Sequence, residues 1–324
     1  MEICANFRHM NKVEQPKAKG KYKITNWKEY NESLKRRGSL TIWISQEALG
    51  AWNYKGPKVK GGQKVYSDLA IETCLTVRKV FNLRLRQTEG FINSLFTLLK
   101  VSLDNPDYTT LSKRGKGLKI SLGVKKKDEK VNIIVDSTGL KVYGEGEWKV
   151  RKFGWSKHRT WRKLHICIDG ETQEIIEEEL TENSVDDGDV VERLIENVSG
   201  GINSFTGDGA YDKRKVRRKL AKEAIIEIIP PQHNAVLSKN PSQSTNSRDK
   251  SVKEIKEIGR EQWKKKVGYH RRSLVEVAMF RYKTIFGDKI MSRNYKNEKV
   301  EVRLSCSILN RMTAIGMPKS IRVA

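Results

Sequence analysis

The spacing of apolar residues changes character along the chain, and each change predicts a different kind of element. From Asn26, NWKEYNESLKRR reads as a short helix with Asn26 as its N-cap. SLTIWI reads as a strand, SQEALGAW as a second short helix starting at Ser45, and GPKVKGGQK as a Gly-rich connector. Asp68 is placed to cap LAIETCLTVRKVF. RQTEGFINSLFTLLKVSL then carries Phe91, Leu95, Leu98 and Leu99 at helical spacing, and Asp107, behind Pro106, is placed to cap YTTLSKR.

From residue 131 the period shortens. VNIIVDST is a nearly unbroken apolar run, as in a strand buried on both faces and ending at Asp136. GEGEWKVRKFGWSKHR reads as a hairpin or loop, and WRKLHICID and EIIEEEL as strands. In the first of these, Leu164, Ile166 and Ile168 alternate with Lys163, His165 and Cys167. VDDGDVVERLIENV predicts a helix, INSFTGDG a strand, KRKVRRKLAKE a helix capped by Asp212, and AIIEIIPP another buried strand. A Pro-, Ser- and Asn-rich loop follows across residues 230–252. Last comes GYHRRSLVEVAMFRYK. On a helical wheel Tyr269, Arg272, Glu276 and Lys283 share a stripe about 60° wide, beside an apolar face of Leu274, Val275, Ala278, Met279 and Tyr282. Three strands, a helix, a strand, a helix, a strand and a helix define an α/β sheet layered with helices. The domains expected are a mobile basic arm (1–23), a mostly helical N-terminal region (24–120) and a catalytic domain (121–324).

Charge narrows the function. Lys and Arg number 64 against 39 Asp and Glu among 324 residues, a net +25 that favours a polyanionic partner. No apolar run of about 18 residues is present, so no membrane span is expected. The amino-terminal stretch lacks a secretory signal pattern. Cys4, Cys74, Cys167 and Cys306 form no CxxC and read as buried thiols in a reducing cytoplasm. Three short helices followed by a lysine-rich tail resemble a helix-turn-helix, with Thr109, Thr110, Ser112, Lys113 and Arg114 available to the major groove; packing alone would produce the same pattern.

The chemistry rests on carboxylates. Asp136 closes an apolar strand, Asp208 stands between Gly207 and Gly209 at the end of another, and Glu276 sits in the polar row of the late helix. Each has a plain alternative: an Asx turn at Asp136, a turn at Asp208, and an i,i+4 ion pair of Glu276 with Arg272. Together they meet the needs of a two-metal phosphoryl-transfer site, in which hard oxygen ligands share two Mg²⁺ ions. Arg272, Tyr269 and Lys283 would then hold DNA phosphates beside them. The histidines match no zinc spacing, and His165 reads as a packed strand residue. Asp169, Asp186, Asp187 and Asp189 read as turn and cap residues.

At these residues the sequence resembles bacterial insertion-sequence transposases of the Asp-Asp-Glu (DDE) class. It is most similar to the insertion-sequence-five family, in the branch of insertion sequence nine-zero-three. The match runs through NWKEYNESLKRRGSLTIWI, DSTGLKVYGEGEWKVRKFGWSKHRTWRKLH, GDGAYD and NRMTAIGMPKS. It includes the signature Tyr-x-x-Arg-x-x-x-Glu-x6-Lys, met by Tyr269, Arg272, Glu276 and Lys283. The resemblance implies an RNase H-like catalytic domain with Asp136, Asp208 and Glu276 binding Mg²⁺, two ions for which Mn²⁺ can substitute. It implies an N-terminal region that binds terminal inverted repeats, end cleavage with strand transfer into double-stranded target DNA, homo-multimers on DNA, and a bacterial cytoplasmic, nucleoid-associated protein. The rivals are a catalytically inactive DNA-binding repressor derived from a transposase and an RNase H-like nuclease without strand transfer.

Overall fold

The computed structural model describes residues 21–57, 61–124, 129–142, 161–238 and 246–323. The first twenty residues, with Cys4, and the whole GEGEWKVRKFGWSKHR segment, with His158, lie outside them. The chain enters as strand β1 (Lys21–Ile24), which pairs antiparallel with the closing strand β8 (Ser320–Val323). Residues 21–23, expected in the arm, are therefore tied to the carboxyl end.

Six helices follow: α1 (Trp27–Arg37), α2 (Leu40–Trp43), α3 (Gln46–Gly50), α4 (Asp68–Val80), α5 (Leu85–Leu98) and α6 (Tyr108–Gly115). The SLTIWI segment is helical rather than a strand. It has no strand partner, and the Trp43 indole N–H donates to the Arg37 carbonyl at 2.9 Å, folding the segment back on α1. Ser45 caps α3 as expected, accepting from the Ala48 N–H. Asn26 begins α1, but its side chain reaches the Met317 carbonyl and the Lys319 N–H instead of capping. Ser67, not Asp68, caps α4; Asp68 pairs with Arg114 on α6. Asp107 caps α6 through the N–H groups of Thr109 and Thr110. In α5 the buried positions are Ile92, Leu95 and Phe96, whereas Leu98 and Leu99 are exposed because the helix ends there.

The main sheet has the order β4-β3-β2-β5-β6. Strands β2 (Val131–Val142), β3 (Trp161–Asp169) and β4 (Ile175–Glu182) are antiparallel neighbours; β5 (Ile202–Thr206) and β6 (Ile226–Ile228) add in parallel. Helices α7 (Asp187–Glu196) and α8 (Arg214–Lys222) follow β4 and β5. Strand β6 is an edge strand with Ile226 exposed, not the doubly buried strand expected from AIIEIIPP. Beyond it come α9 (Asn246–Ile258), which begins inside the segment expected as a loop, and α10 (Arg260–Lys266). The late helix α11 (Ser273–Phe286) leads through the short strand β7 (Lys289–Ile290) to the long α12 (Tyr295–Ile315).

Two cores form, one on each sheet face. One joins Trp43, Ile71 and Phe96 of the amino-terminal helices to Ile134 and Ile166 of the sheet, Val275 and Tyr282 of α11, and Ile308 of α12. It is continuous across residue 120. The other packs Val190 and Leu194 of α7 and Val216 and Leu220 of α8 on Ile133, Val135 and Phe205. Sheet faces covered on both sides explain why β3 is buried from Leu164 to Asp169, polar positions included.

His165 is one of these, fully buried with Nε2 3.0 Å from the Thr181 hydroxyl. Burial pulls its pKa down from 6.5 to about 4. The unfolded chain therefore binds more protons between those two values. The contribution of His165 to stability is expected to be full above pH 6.5, to fall by about 3 kcal/mol as pH drops to 4, and to level below it. Denaturant midpoints of His165→Gln across this range should lack that step.

Candidate active site

Parallel pairing brings the two aspartates together. Ile134 on β2 is in register with Thr206 on β5, and Asp136 and Asp208 each lie two residues further on. Side chains two apart share a sheet face. Ile134 packs in the α11 core, so Asp136 faces α11. Asp136 does not end its strand, as expected; β2 runs on to Val142. What ends near it is the parallel pairing. Beyond Ile134 the edge is next taken up by β7, at Lys141 and Val142. Asp136 stands in the interval between β5 and β7.

Asp208 follows β5 and caps a 3₁₀ turn (Gly209–Tyr211), its Oδ1 accepting from the Ala210 N–H at 2.8 Å. The two flanking glycines differ. A Cβ at Gly207 would meet the Tyr211 ring at 2.8 Å, so close packing requires glycine there. At Gly209 the nearest atom is the Pro230 carbonyl oxygen, at 3.7 Å.

Glu276 comes from the first turn of α11, whose buried face carries Val275, Ala278, Met279 and Tyr282 as the apolar spacing predicts. Tyr269 and Arg272 are not on this helix. They lie on a 3₁₀ turn (Tyr269–Arg272) entered through Gly268, which has φ +68°. The turn is pinned by Arg271, which donates to the Gly170 carbonyl at 2.7 Å and pairs with Glu171 at 2.6 Å.

Two of the three carboxylates meet at one guanidinium, and Asp208 is near enough to act on Asp136 through its charge. Arg272 Nη1 donates to Asp136 Oδ2 at 2.8 Å, and Nη2 to Glu276 Oε1. The Asp136 Oδ1 accepts from the Ser137 N–H at 2.8 Å. Burial raises the Asp136 pKa, with Asp208 and Glu276 adding to the rise and Arg272 opposing it. Burial and the same three carboxylates also raise Tyr269, and Arg272 lowers it. Tyr269 lies between two cations: Lys264 Nζ is 5.2 Å from its ring centre and the Arg272 guanidinium 6.0 Å.

The donors are hard oxygens carrying more negative charge than one arginine cancels, which suits Mg²⁺ or Mn²⁺. Among the described residues, however, no three His, Cys, Asp or Glu side chains are arranged to hold one ion. Arg272 separates Asp136 from Glu276, so a shared cation requires the guanidinium to withdraw from at least one of them.

The remaining predicted residues are dispersed. Lys283 is half-buried two turns beyond Glu276 and makes no ion pair among the described residues. Thr109 and Thr110 donate their hydroxyls to Asp107, and Arg114 joins α6 to α4 through Asp68 and the Tyr66 carbonyl. Of the helix-turn-helix set, Lys113 is exposed, while the Ser112 carbonyl accepts from Asn297. The basic stretch KRKVRRKLAK is largely spent on the protein. Lys213, Lys215 and Lys219 pair with acids of and before α7, and Arg217 is buried.

Two neighbours went unread in the sequence. Phe280, one turn after Glu276, is 70% exposed, although its apolar side chain gave no reason to place it outside a core. A cleft of about 450 Å³ beside Asp208 is lined by Pro231, His233, Arg260 and Lys264. Lys264 stands in the basic run QWKKKVGYHRR, whose spacing does not show that it borders a cleft.

A family profile described as a transposase DDE domain matches residues 127–311, and a second of the same description matches residues 35–145. The chain belongs to the DDE transposase family. Among solved structures, the cryo-EM piggyBac transposase synaptic complex with hairpin DNA is similar over 86% of this chain and 75% of that one. The identity is 10% and the TM-score 0.37.

Proposed function

We propose that the protein is a Mg²⁺-dependent DNA transposase of an insertion sequence, in the insertion-sequence-five family and the branch of insertion sequence nine-zero-three. It binds the terminal inverted repeats, cleaves the phosphodiester at the element ends and transfers the freed 3′-hydroxyl strand into target DNA. The observation that carries the reading is that Asp136 and Glu276 share the Arg272 guanidinium on the α11 face of the sheet, while parallel pairing brings Asp208 near enough to raise the Asp136 pKa. The mixed sheet with helices on both faces supports an RNase H-like catalytic domain.

Asp136, Asp208 and Glu276 would hold the divalent ions, which when bound activate the attacking oxygen and stabilise the leaving one. Asp136 is positioned by the sheet and Glu276 by the α11 core, so neither depends on a mobile loop. Arg272 exchanges its carboxylate partners for a DNA phosphate, which its fork contacts with two N–H groups. Lys264 and Tyr269 line the approach from the cleft beside Asp208. In the first step water attacks the phosphorus and the 3′-oxygen leaves. In the second that 3′-hydroxyl attacks a target phosphorus in line and displaces the target's own 3′-oxygen. The amino-terminal helices serve end recognition through a helix-turn-helix-like unit, and the protein acts as a homo-multimer on paired ends. No helix among the described residues is long and apolar enough to cross a membrane; a nucleoid-associated cytoplasmic protein fits the +25 charge.

Purified protein given pre-cut labelled ends, target plasmid and Mg²⁺ should produce joined products. Cleavage without joining would favour a nuclease, and end binding without either would favour a repressor. Arg272→Gln is expected to reduce the slope of log K against log salt for DNA binding by about one, the mark of one lost phosphate contact. An unchanged slope would remove Arg272 from the phosphate grip.

A further inference from the structure

A second cavity, remote from the carboxylates, lies where α4 and α6 meet the start of α12. Its volume is about 320 Å³, at the lower end of the range of small-molecule sites and more than a bare phosphate needs. Leu75, Leu111 and Leu304 contribute apolar floor, and Arg78, Lys79, Lys116 and Arg293 bring positive charge. A single carboxylate, Glu301, lines the cavity with them, and its oxygens are already occupied. They accept from Lys79 Nζ at 2.9 Å, from the N–H groups of Met291 and Ser292, and from the Ser292 hydroxyl.

Arg78 is the exception to this satisfied network. Its Nε is buried without a hydrogen-bond partner, and its Nη2 meets the Met291 thioether sulfur at 3.7 Å, a weak acceptor. Arg78 as a whole is half-buried, and the Glu301 charge opposes the downward pull of burial on its pKa; what stays unfavourable is the buried Nε, which no acceptor completes. The amino end of α12 adds to the positive field, through Asn294 and Asn297 on the cavity wall.

We infer that this cavity is a nucleotide site. The Arg78 fork takes a phosphate ester, Lys116 and Arg293 flank it, and the leucine floor receives the base. The shared chemistry has two sources, a nucleotide within a DNA strand or a free nucleotide. The first rests on the DNA-binding reading above; the second does not.

The test uses the full chain without added metal, so its outcome is independent of cleavage. Calorimetric titration with dTMP should show binding, with thymidine at least about tenfold weaker. Arg78→Met should weaken dTMP at least about tenfold while melting at the same temperature or higher, because an incompletely paired buried charge is gone. Lys116→Gln, at an exposed position, should weaken dTMP without changing the melting temperature. Displacement of dTMP by a short single-stranded oligonucleotide identifies the strand as the source; binding that the oligonucleotide does not displace identifies the free nucleotide. Absence of dTMP binding at millimolar concentration, or equal binding by Arg78→Met, overturns the inference. So does a lowered melting temperature of Arg78→Met with dTMP affinity unchanged, the signature of a structural arginine.

Discussion

Replacing Glu276 with glutamine is expected to lower cleavage of element ends by about 10³-fold or more, since several kcal/mol of metal-derived stabilisation depend on the ligand set. The substitution keeps size and hydrogen bonding but removes the charge. Its structural cost should be small. Glu276 is about half exposed, and its i,i+4 pair with Arg272 contributes only a few tenths of a kcal/mol. Binding to labelled ends should survive. Measured side by side, retained binding with lost cleavage assigns the residue to chemistry. Retained cleavage would remove Glu276 from the site.

The largest stability effect is expected at Arg217. Its guanidinium lies in a buried network: Nε donates to Asp212 and Nη1 to Glu227, both at 2.8 Å, and Nη2 to the Ile229 carbonyl at 3.1 Å. All three charged side chains are at most 7% exposed. Arg217→Met leaves two buried carboxylates with their main cation gone, which costs about 3–5 kcal/mol. The network ties α8 to β6 and to the segment just after Asp208, so the loss should also reach the site. Urea denaturation should show a lower midpoint with an unchanged slope. A loss below about 1 kcal/mol would mean that Arg248, 3.2 Å from Asp212, takes over.

Much of the sheet was legible because local pattern and burial agree there. The strand and helix order from Val131 to Ile228 and the apolar face of α11 follow from residue spacing, as does the cap at Asp107 upstream. Failures occur where tertiary partners override local preference. Asn26 and Asp68 carry capping chemistry, yet their side chains are claimed by residues roughly 290 and 46 positions away. SLTIWI has strand composition but no strand beside it. The ion pairs of Lys213, Lys215 and Lys219 in KRKVRRKLAK could not be read either, because their acids lie on or just before α7.

The site shows the same division. The sequence order placed Asp136, Asp208 and Glu276 on one scaffold, but the registers that align the aspartates arise only from parallel pairing. The helical wheel put Tyr269, Arg272 and Glu276 in one row. The structure keeps them adjacent by another route, a 3₁₀ turn entered through Gly268. Arg272, read as a phosphate ligand, donates in the structure to two of the carboxylates. Nothing in its spacing could reveal that, because the spacing does not encode the distance to Asp136.

The most direct test is anomalous scattering from crystals of the protein bound to a cleaved DNA end with Mn²⁺. Two manganese peaks ligated by Asp136, Asp208 and Glu276, with the Arg272 guanidinium moved off at least one carboxylate and onto phosphate, are predicted. Manganese seated elsewhere in a complex that still cleaves DNA, with Arg272 bridging Asp136 and Glu276 as before, would contradict the shared-metal site.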